Sequence, residues 1–225
     1  MSSKGKSFGK FIILWLGEFI SSIGSGITSF GLGVYVFNRT GKVTAIAFVT
    51  LLAFMPSILL ATVAGVLADR YDRRLLMVLG DSLSAVGLVF ILICMLKNEA
   101  QIWQIYVGIT ISSVFSSLLA PSYKATVTDL LTKEQYTKAS GLVQLAASAK
   151  YLISPAIAGL LLKVYDIKLL LVIDICTFIV TVTSTLVVRR GLVSRISEQK
   201  KSFICDLKDG WGAITKNKGV LLLVV

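Results

Sequence analysis

Histidine is absent from the 225-residue sequence, so no imidazole can bind a metal or shuttle a proton. The three cysteines, Cys94, Cys176 and Cys205, are scattered and form neither a metal-binding pattern nor a disulfide framework. No nucleophile–base arrangement and no phosphate-binding GxxxxGK[ST] loop is present. We therefore expect that the protein is not an enzyme and that it holds no metal and no cofactor.

Charge is also scarce, since only 16% of the residues are charged and 55% are hydrophobic. The charges gather in short blocks between apolar runs that each supply the roughly 20 residues a helix needs to cross a bilayer. There are six such runs: residues 11–37, 43–68, 75–96, 102–121, 139–164 and 169–188. They predict an all-α membrane protein with six transmembrane helices. A soluble α/β protein would have shorter, strand-length runs.

Acidic residues are few, 12 against 23 Lys and Arg, which leaves a net charge of +11. If the N-terminus is cytoplasmic, 17 basic residues lie on the cytoplasmic side, five lie outside, and Lys150 is within a run. The positive-inside rule therefore predicts a multi-pass protein of the cell membrane with a cytoplasmic N-terminus. The excess charge sets orientation and attracts anionic lipid, so no nucleic-acid partner is needed.

The runs divide the chain into four predicted parts. Residues 1–10 are a cytoplasmic N-terminus, and 11–188 form the six-helix unit. Residues 189–218 form a basic cytoplasmic linker, in which Phe203, Leu207, Trp211 and Ile214 share one face of an amphipathic helix. Residues 219–225 begin a seventh span that the end of the sequence cuts short.

The first run is rich in glycine and the fourth in serine. Small residues allow close helix packing, and hydroxyl groups bond between helices or line a wet cavity. Both interpretations stay open for these two runs. A run as rich in glycine as the first can also bend or break locally.

A highly charged connection, GVLADRYDRR at residues 65–74, joins the second and third runs. It resembles the signature loop of the major facilitator superfamily, Gly-x-x-x-Asp-[Arg/Lys]-x-Gly-[Arg/Lys]-[Arg/Lys]. The matching residues are Gly65, Asp69, Arg70, Arg73 and Arg74. Asp72 replaces a glycine of the pattern, and we expect a turn with positive φ there, which Asp tolerates better than most residues.

The form DRYDRR and the segments LISPAIAGLL and LLLVIDICTF are similar to the drug-exporter branch that includes macrolide-efflux proteins. The resemblance implies an N-terminal half made of two inverted three-helix repeats, a partner C-terminal six-helix half, and substrate bound at the midplane between them. It also implies that the charged loop is a conformational latch on the cytoplasmic side. Asp69 would face a helix N-terminus of the other half, and a loop arginine would pair with Asp129.

The fifth run matches the family's antiporter pattern at half of its defined positions. Gly141, Pro155 and Gly159 match it, whereas Lys150, Ser154 and Ala158 replace glycines. Pro155 should bend this helix because it removes a backbone donor. The fourth run also lacks the basic residue that many proton-coupled members carry there.

Four ionisable side chains lie within runs: Glu18, Asp81, Lys150 and Asp174. Such groups are costly in a membrane and usually have a partner or a function, so they are the candidate proton and substrate pathway. Glu18 and Lys150 form either a structural ion pair or a site where Glu18 binds a proton or a cationic drug. For Asp81 we expect pairing with a loop arginine, and for Asp174 an anchoring role on the outer side.

These features predict a secondary exporter of a hydrophobic, macrolide-type drug that works by alternating access and proton antiport, with the proton gradient as energy source. Membrane lipid and the small hydrophobic substrate are its expected partners. Two alternatives remain: export of a native metabolite or siderophore, and a half-size membrane protein that does not transport.

Overall fold

The computed structural model describes residues 4–97 and 100–189, and every element in these ranges is an α-helix. In chain order the helices are α1 (Lys4–Thr40), α2 (Val43–Leu59), α3 (Ala61–Arg70), α4 (Arg73–Lys97), α5 (Ile102–Ser116), α6 (Leu119–Leu130), α7 (Lys133–Leu162) and α8 (Ile167–Arg189). The predicted linker and the start of a seventh span lie outside the described residues.

Membrane-spanning length and hydropathy are met by five segments in the described part of the chain: Phe8–Thr40, Arg73–Lys97, Ile102–Leu130, Lys133–Leu162 and Ile167–Arg189. Helices α2 and α3 pass the same test together, as a pair bent by 48°. Counting this pair as one span gives the six predicted spans, so the all-helical membrane fold is confirmed. The protein is a multi-pass membrane protein.

The bend lies in the second span, and the local break that a glycine-rich run can have is not present in the first span. Helix α1 is continuous from Lys4 to Thr40, whereas the second span breaks at Leu60, one turn after Pro56. Pro56 lacks an N–H group, so it cannot bond the carbonyl of Leu52. The hydroxyl of Ser113 on α5 donates to that carbonyl instead, at 2.8 Å.

Residues 123–138, which lie between the fourth and fifth predicted runs, are mostly helical. Helix α6 continues to Leu130, and only Leu131 and Thr132 separate it from α7. The Thr132 hydroxyl accepts from the Gln135 backbone N–H at 3.4 Å, and the Gln135 side chain accepts from the Thr132 N–H at 3.3 Å. This reciprocal capping box starts α7 six residues before the predicted run begins.

Helix α1 is at the centre of the bundle because small residues let α8 approach it closely. A Cβ added at Gly17, Gly24 or Gly31 would meet Ser184, Thr177 or Leu170 of α8. Thr181 on α8 donates to the Gly17 carbonyl at 3.2 Å, and Thr28 on α1 donates to the Leu170 carbonyl at 3.1 Å. Close packing, one of the two interpretations of the first run, is therefore present.

Helix α7 packs on another side of α1 through two side-chain hydrogen bonds. Trp15 Nε1 donates to the Leu142 carbonyl at 2.8 Å, and Ser154 Oγ donates to the Ile23 carbonyl at 3.1 Å. Much of the rest of α7 is exposed, including Leu145, Leu152 and Leu160. These contacts also fix the register in which α7 runs beside α1.

Candidate transport site

The charged turn between α3 and α4 is organised around Arg73. Its Nη1 atom lies 2.8 Å from Asp129 Oδ2 on α6 and donates to the Ala125 carbonyl at 3.1 Å. Its Nε donates to the Ala68 carbonyl at 3.2 Å, and its Nη2 lies 3.7 Å from Asp69 Oδ1. The guanidinium thus joins the ends of α3 and α6, and the predicted pairing of a loop arginine with Asp129 is confirmed.

Asp72 does not adopt the positive φ expected for the position where the pattern has glycine; among the non-glycine residues described, none has a positive φ. Asp72 directly precedes α4, and its Oδ1 accepts from the Arg74 backbone N–H at 3.1 Å. Its Oδ2 lies 3.3 Å from Arg189 Nε at the end of α8. Asp72 therefore acts through its side chain, which caps α4 and contacts Arg189 of α8, and not through an unusual backbone conformation.

The other motif residues differ in exposure. The Asp69 side chain is 77% exposed, so most of it is available to a further contact. Arg70 is half-buried at the end of α3, and a Cβ added at Gly65 would meet nothing within 4 Å. Arg74 is buried, and its Nε has no hydrogen-bond partner within residues 4–97 and 100–189.

A cavity of about 440 Å³ lies between α1, α2, α4, α5, α7 and α8. Its wall is mainly apolar and includes the aromatic side chains of Phe30, Phe54, Tyr151 and Phe178. Hydroxyl groups of both serine-containing runs line it as well, at Ser25, Ser29, Ser112, Ser113 and Ser116. The cavity-lining interpretation of the first and fourth runs therefore holds together with close packing.

Two of the four predicted intramembrane charges line this cavity, Lys150 from α7 and Asp174 from α8. Asp174 is 2% exposed, and Ser25 Oγ donates to its Oδ1 at 3.0 Å. The sequence analysis placed Asp174 among the candidate pathway residues and expected it to anchor the outer side, and it did not single out Ser25 as its partner. The sequence does contain both partners, a serine hydroxyl in the first apolar run and an aspartate carboxylate in the sixth, but it does not show that they meet.

Glu18 lies outside the cavity wall and does not form the predicted ion pair with Lys150. No Lys150 nitrogen is within 4.0 Å of an acidic oxygen in the described chain, which removes the structural ion pair as an explanation. Lys150 shares the cavity wall with Asp174 and not with Glu18.

Asp81 does not pair with a loop arginine, contrary to expectation. It is 1% exposed, and neither of its carboxyl oxygens has a hydrogen-bond partner among the described residues. Arg73 is turned toward Asp129, and a long helical side chain such as that of Arg74 points back toward the helix N-terminus, away from Asp81.

The two glycines that match the antiporter-like pattern have no close packing neighbours in the described chain. A Cβ added at Gly141 or Gly159 would meet nothing within 4 Å. Pro155 lines the cavity within an unbroken α7, so the bend expected there stays a prediction. Ser154, which replaces a glycine of the pattern, is fully buried and binds α7 to α1 through its hydrogen bond to Ile23.

The family of this chain follows from a profile comparison as well as from the charged turn. The profile of the Major Facilitator Superfamily matches residues 14–225, and the chain belongs to this family of transporters. Its fold is that of a transporter half.

Among curated proteins the chain is similar to Macrolide efflux protein A of Streptococcus pyogenes, with 28% identity over 96% of this chain and 54% of that protein. It is 29% identical to Macrolide efflux protein A of Enterococcus faecalis, over 78% of this chain and 55% of that protein. It is also 26% identical to the Enterobactin exporter EntS of Shigella flexneri, over 70% of this chain and 38% of that protein. The chain thus spans about half the length of the macrolide efflux proteins it matches.

Proposed function

We propose that the protein is a secondary active exporter of an amphiphilic drug of the macrolide type across the cytoplasmic membrane, with a cytoplasmic N-terminus. The supporting observation is the mainly apolar cavity whose wall carries two opposite charges, Lys150 and Asp174. An apolar wall with few polar anchors suits a large hydrophobic substrate. The similarity to two macrolide efflux proteins gives the substrate class.

Alternating access is proposed to depend on the turn between α3 and α4. Arg73 holds this turn to α6 through Asp129, and Asp69 remains mostly exposed beside it. We place Asp69 against a helix N-terminus of a C-terminal six-helix half, where a negative charge is stabilised. The open surroundings of Gly65, Gly141 and Gly159 leave room for that half to pack closely.

Proton antiport is proposed to use the interior carboxyl groups of Glu18, Asp81 and Asp174 together with Lys150. These groups come from four helices, and two of them, Lys150 and Asp174, line the same cavity. Ionisable groups at such depth in a membrane protein commonly form ion or proton pathways.

Export of a native metabolite or siderophore is the second candidate. It is favoured by the similarity to the Enterobactin exporter EntS and by the position of Lys150 in the cavity wall. An ammonium group there would suit an anionic compound better than a cationic drug.

The test is accumulation of a labelled macrolide in drug-sensitive cells that express the protein, measured with and without a protonophore. We expect lower accumulation on expression, restoration by the protonophore, and loss of export in Asp69→Asn. The matched control is Asp166→Asn, since Asp166 is another exposed acid, between α7 and α8. Unchanged accumulation on expression would remove macrolides as substrates, and export that ignores the protonophore would remove proton coupling.

A further inference from the structure

We propose that Phe54, Tyr151 and Lys150 form a subsite of the cavity that binds a flat aromatic ring carrying a negative charge. The two aromatic side chains hold the ring between their faces, and the ammonium group of Lys150 binds the anion. The inference rests on the proposed export function, and it adds a second class of substrate, aromatic acids, to the macrolide class.

Phe54 and Tyr151 meet although their helices pack mainly against other neighbours. Helix α2 packs mainly on α1 and α5, and α7 packs mainly on α1. The two rings have their centroids 6.5 Å apart and their planes inclined by 19°, so they are stacked. Both side chains line the cavity. The pair therefore bridges α2 and α7 at the cavity wall.

The aromatic pair has room to open. Phe54 is 42% exposed and Tyr151 is 57% exposed, so neither ring is enclosed by its surroundings. A flat ring needs about 3.5 Å to each neighbouring face, and therefore about 7 Å between the two faces. The centroids are closer than this, so the rings must part to accept a third ring. A saturated ring is thicker and needs a wider opening, and it lacks the π-system that stacks.

Lys150 supplies a positive charge beside the pair. It directly precedes Tyr151 on α7, and both residues line the cavity. Within residues 4–97 and 100–189, no acidic oxygen lies within 4.0 Å of its ammonium group. The wall around it is mainly apolar, so a charge there is screened less than in water and attracts an anion more strongly.

Asp174, the acid in the same wall, does not fill the role of that anion. It is 2% exposed, and Ser25 Oγ of α1 donates to its Oδ1 at 3.0 Å. A Cβ added at Gly24 would lie 3.2 Å from the same oxygen, so this carboxyl group is turned toward α1. Lys150 is only half-buried. The cavity therefore presents an accessible cation and a covered acid, which favours an anionic ligand beside the aromatic pair.

The experiment uses purified protein in detergent and equilibrium dialysis with three probes of similar size. Naphthoate has the flat ring and the charge, naphthamide lacks the charge, and decahydronaphthoate lacks the flat ring. We expect the unaltered protein to bind naphthoate about tenfold more tightly than decahydronaphthoate, because naphthoate stacks on two rings. We also expect about tenfold tighter binding of naphthoate than of naphthamide, because its carboxylate bonds to an ammonium group.

Variants separate the two preferences. Phe54→Leu and Tyr151→Leu each remove one of two stacking faces, so the preference for the flat ring should fall to about threefold in each and vanish in the double variant. Tyr151→Phe should keep it. Lys150→Gln should lose the preference for the anion, and Lys150→Arg should keep it. Two matched controls should keep both preferences: Phe30→Leu removes a cavity ring outside the pair, and Lys163→Gln removes an exposed cation just after α7.

Equal binding of naphthoate and decahydronaphthoate by the unaltered protein would overturn the proposal, and this comparison needs no variant to fold. A ring preference that survives in the double variant, or an anion preference that survives in Lys150→Gln, would overturn it as well. Failure of the proposed export function looks different. Binding would then show both preferences, while cells expressing the protein would accumulate naphthoate and macrolide as strongly as control cells.

Discussion

The charges around the α3–α4 turn and those in the interior of the bundle are handled in opposite ways. At the turn, Arg73 lies 2.8 Å from Asp129, and Arg189 lies 3.3 Å from Asp72. In the interior, Asp81 has no partner and Lys150 contacts no acid within the described chain. Charges that hold helices together are thus in contact, whereas those of the candidate pathway are kept apart.

The difference follows from what each set of charges must do. A contact between charged groups fixes helix ends and stabilises the fold. An interior charge with no fixed partner lowers stability but can change partner when a substrate or a proton binds. The comparison can be tested by removing charges from each region.

The largest effect is expected for Arg73→Ala, which removes four contacts that join the ends of α3 and α6. Hydrogen bonds to charged groups are each worth about 1.5–3 kcal/mol, so we expect a loss of at least this size. The measurement is thermal unfolding of the protein in detergent. Arg73→Lys should lose less, because it keeps the charge but not the planar fork; an equal loss in both variants would contradict this account.

An intermediate effect of opposite sign is expected for Asp81→Leu. A buried polar group without a partner costs about 1–3 kcal/mol, so an apolar side chain of similar shape should stabilise the protein by up to that amount. The same unfolding assay measures it, with Asp174→Leu as the comparison because Asp174 has a partner in Ser25. If Asp81→Leu destabilises the protein as much as Asp174→Leu does, Asp81 belongs with the paired charges.

The smallest effect separates the two functions of Asp72. Asp72→Ala should lose the cap of α4, worth about 0.5–2 kcal/mol. Asp72→Asn keeps a capping oxygen and loses only the partly exposed contact with Arg189, worth about 0.2–1 kcal/mol. Unfolding midpoints should therefore fall further for Ala, which loses both contacts, than for Asn, and an equal fall in the two variants would show that the cap contributes nothing measurable.

The sequence predicted the features of the fold that depend on residues close together in the chain. Each span was visible because hydropathy is a property of a single run, and the pairing of a loop arginine with Asp129 followed from a family resemblance. The length of α6 was missed because its polar residues Thr126 and Thr128 read as a loop, although their hydroxyls bond within the helix to Ser122 and Lys124.

The interior of the site was harder to predict because it depends on packing between distant helices. No local signal shows that Asp81 faces away from Arg73 and Arg74, or that Asp174 and not Glu18 reaches the cavity. The break in the second span was missed for a similar reason. The break lies just after Pro56. The Leu52 carbonyl, which Pro56 leaves without its usual donor, is bonded by the Ser113 hydroxyl from another helix.

The three glycines of α1 that contact α8 have a mechanical consequence. Gly17, Gly24 and Gly31 recur every seven residues, a spacing of two helical turns that keeps one narrow seam aligned along the whole length of both helices. Two helices that touch at three levels resist sliding past each other, so any movement of this half should carry α1 and α8 together as one rigid unit.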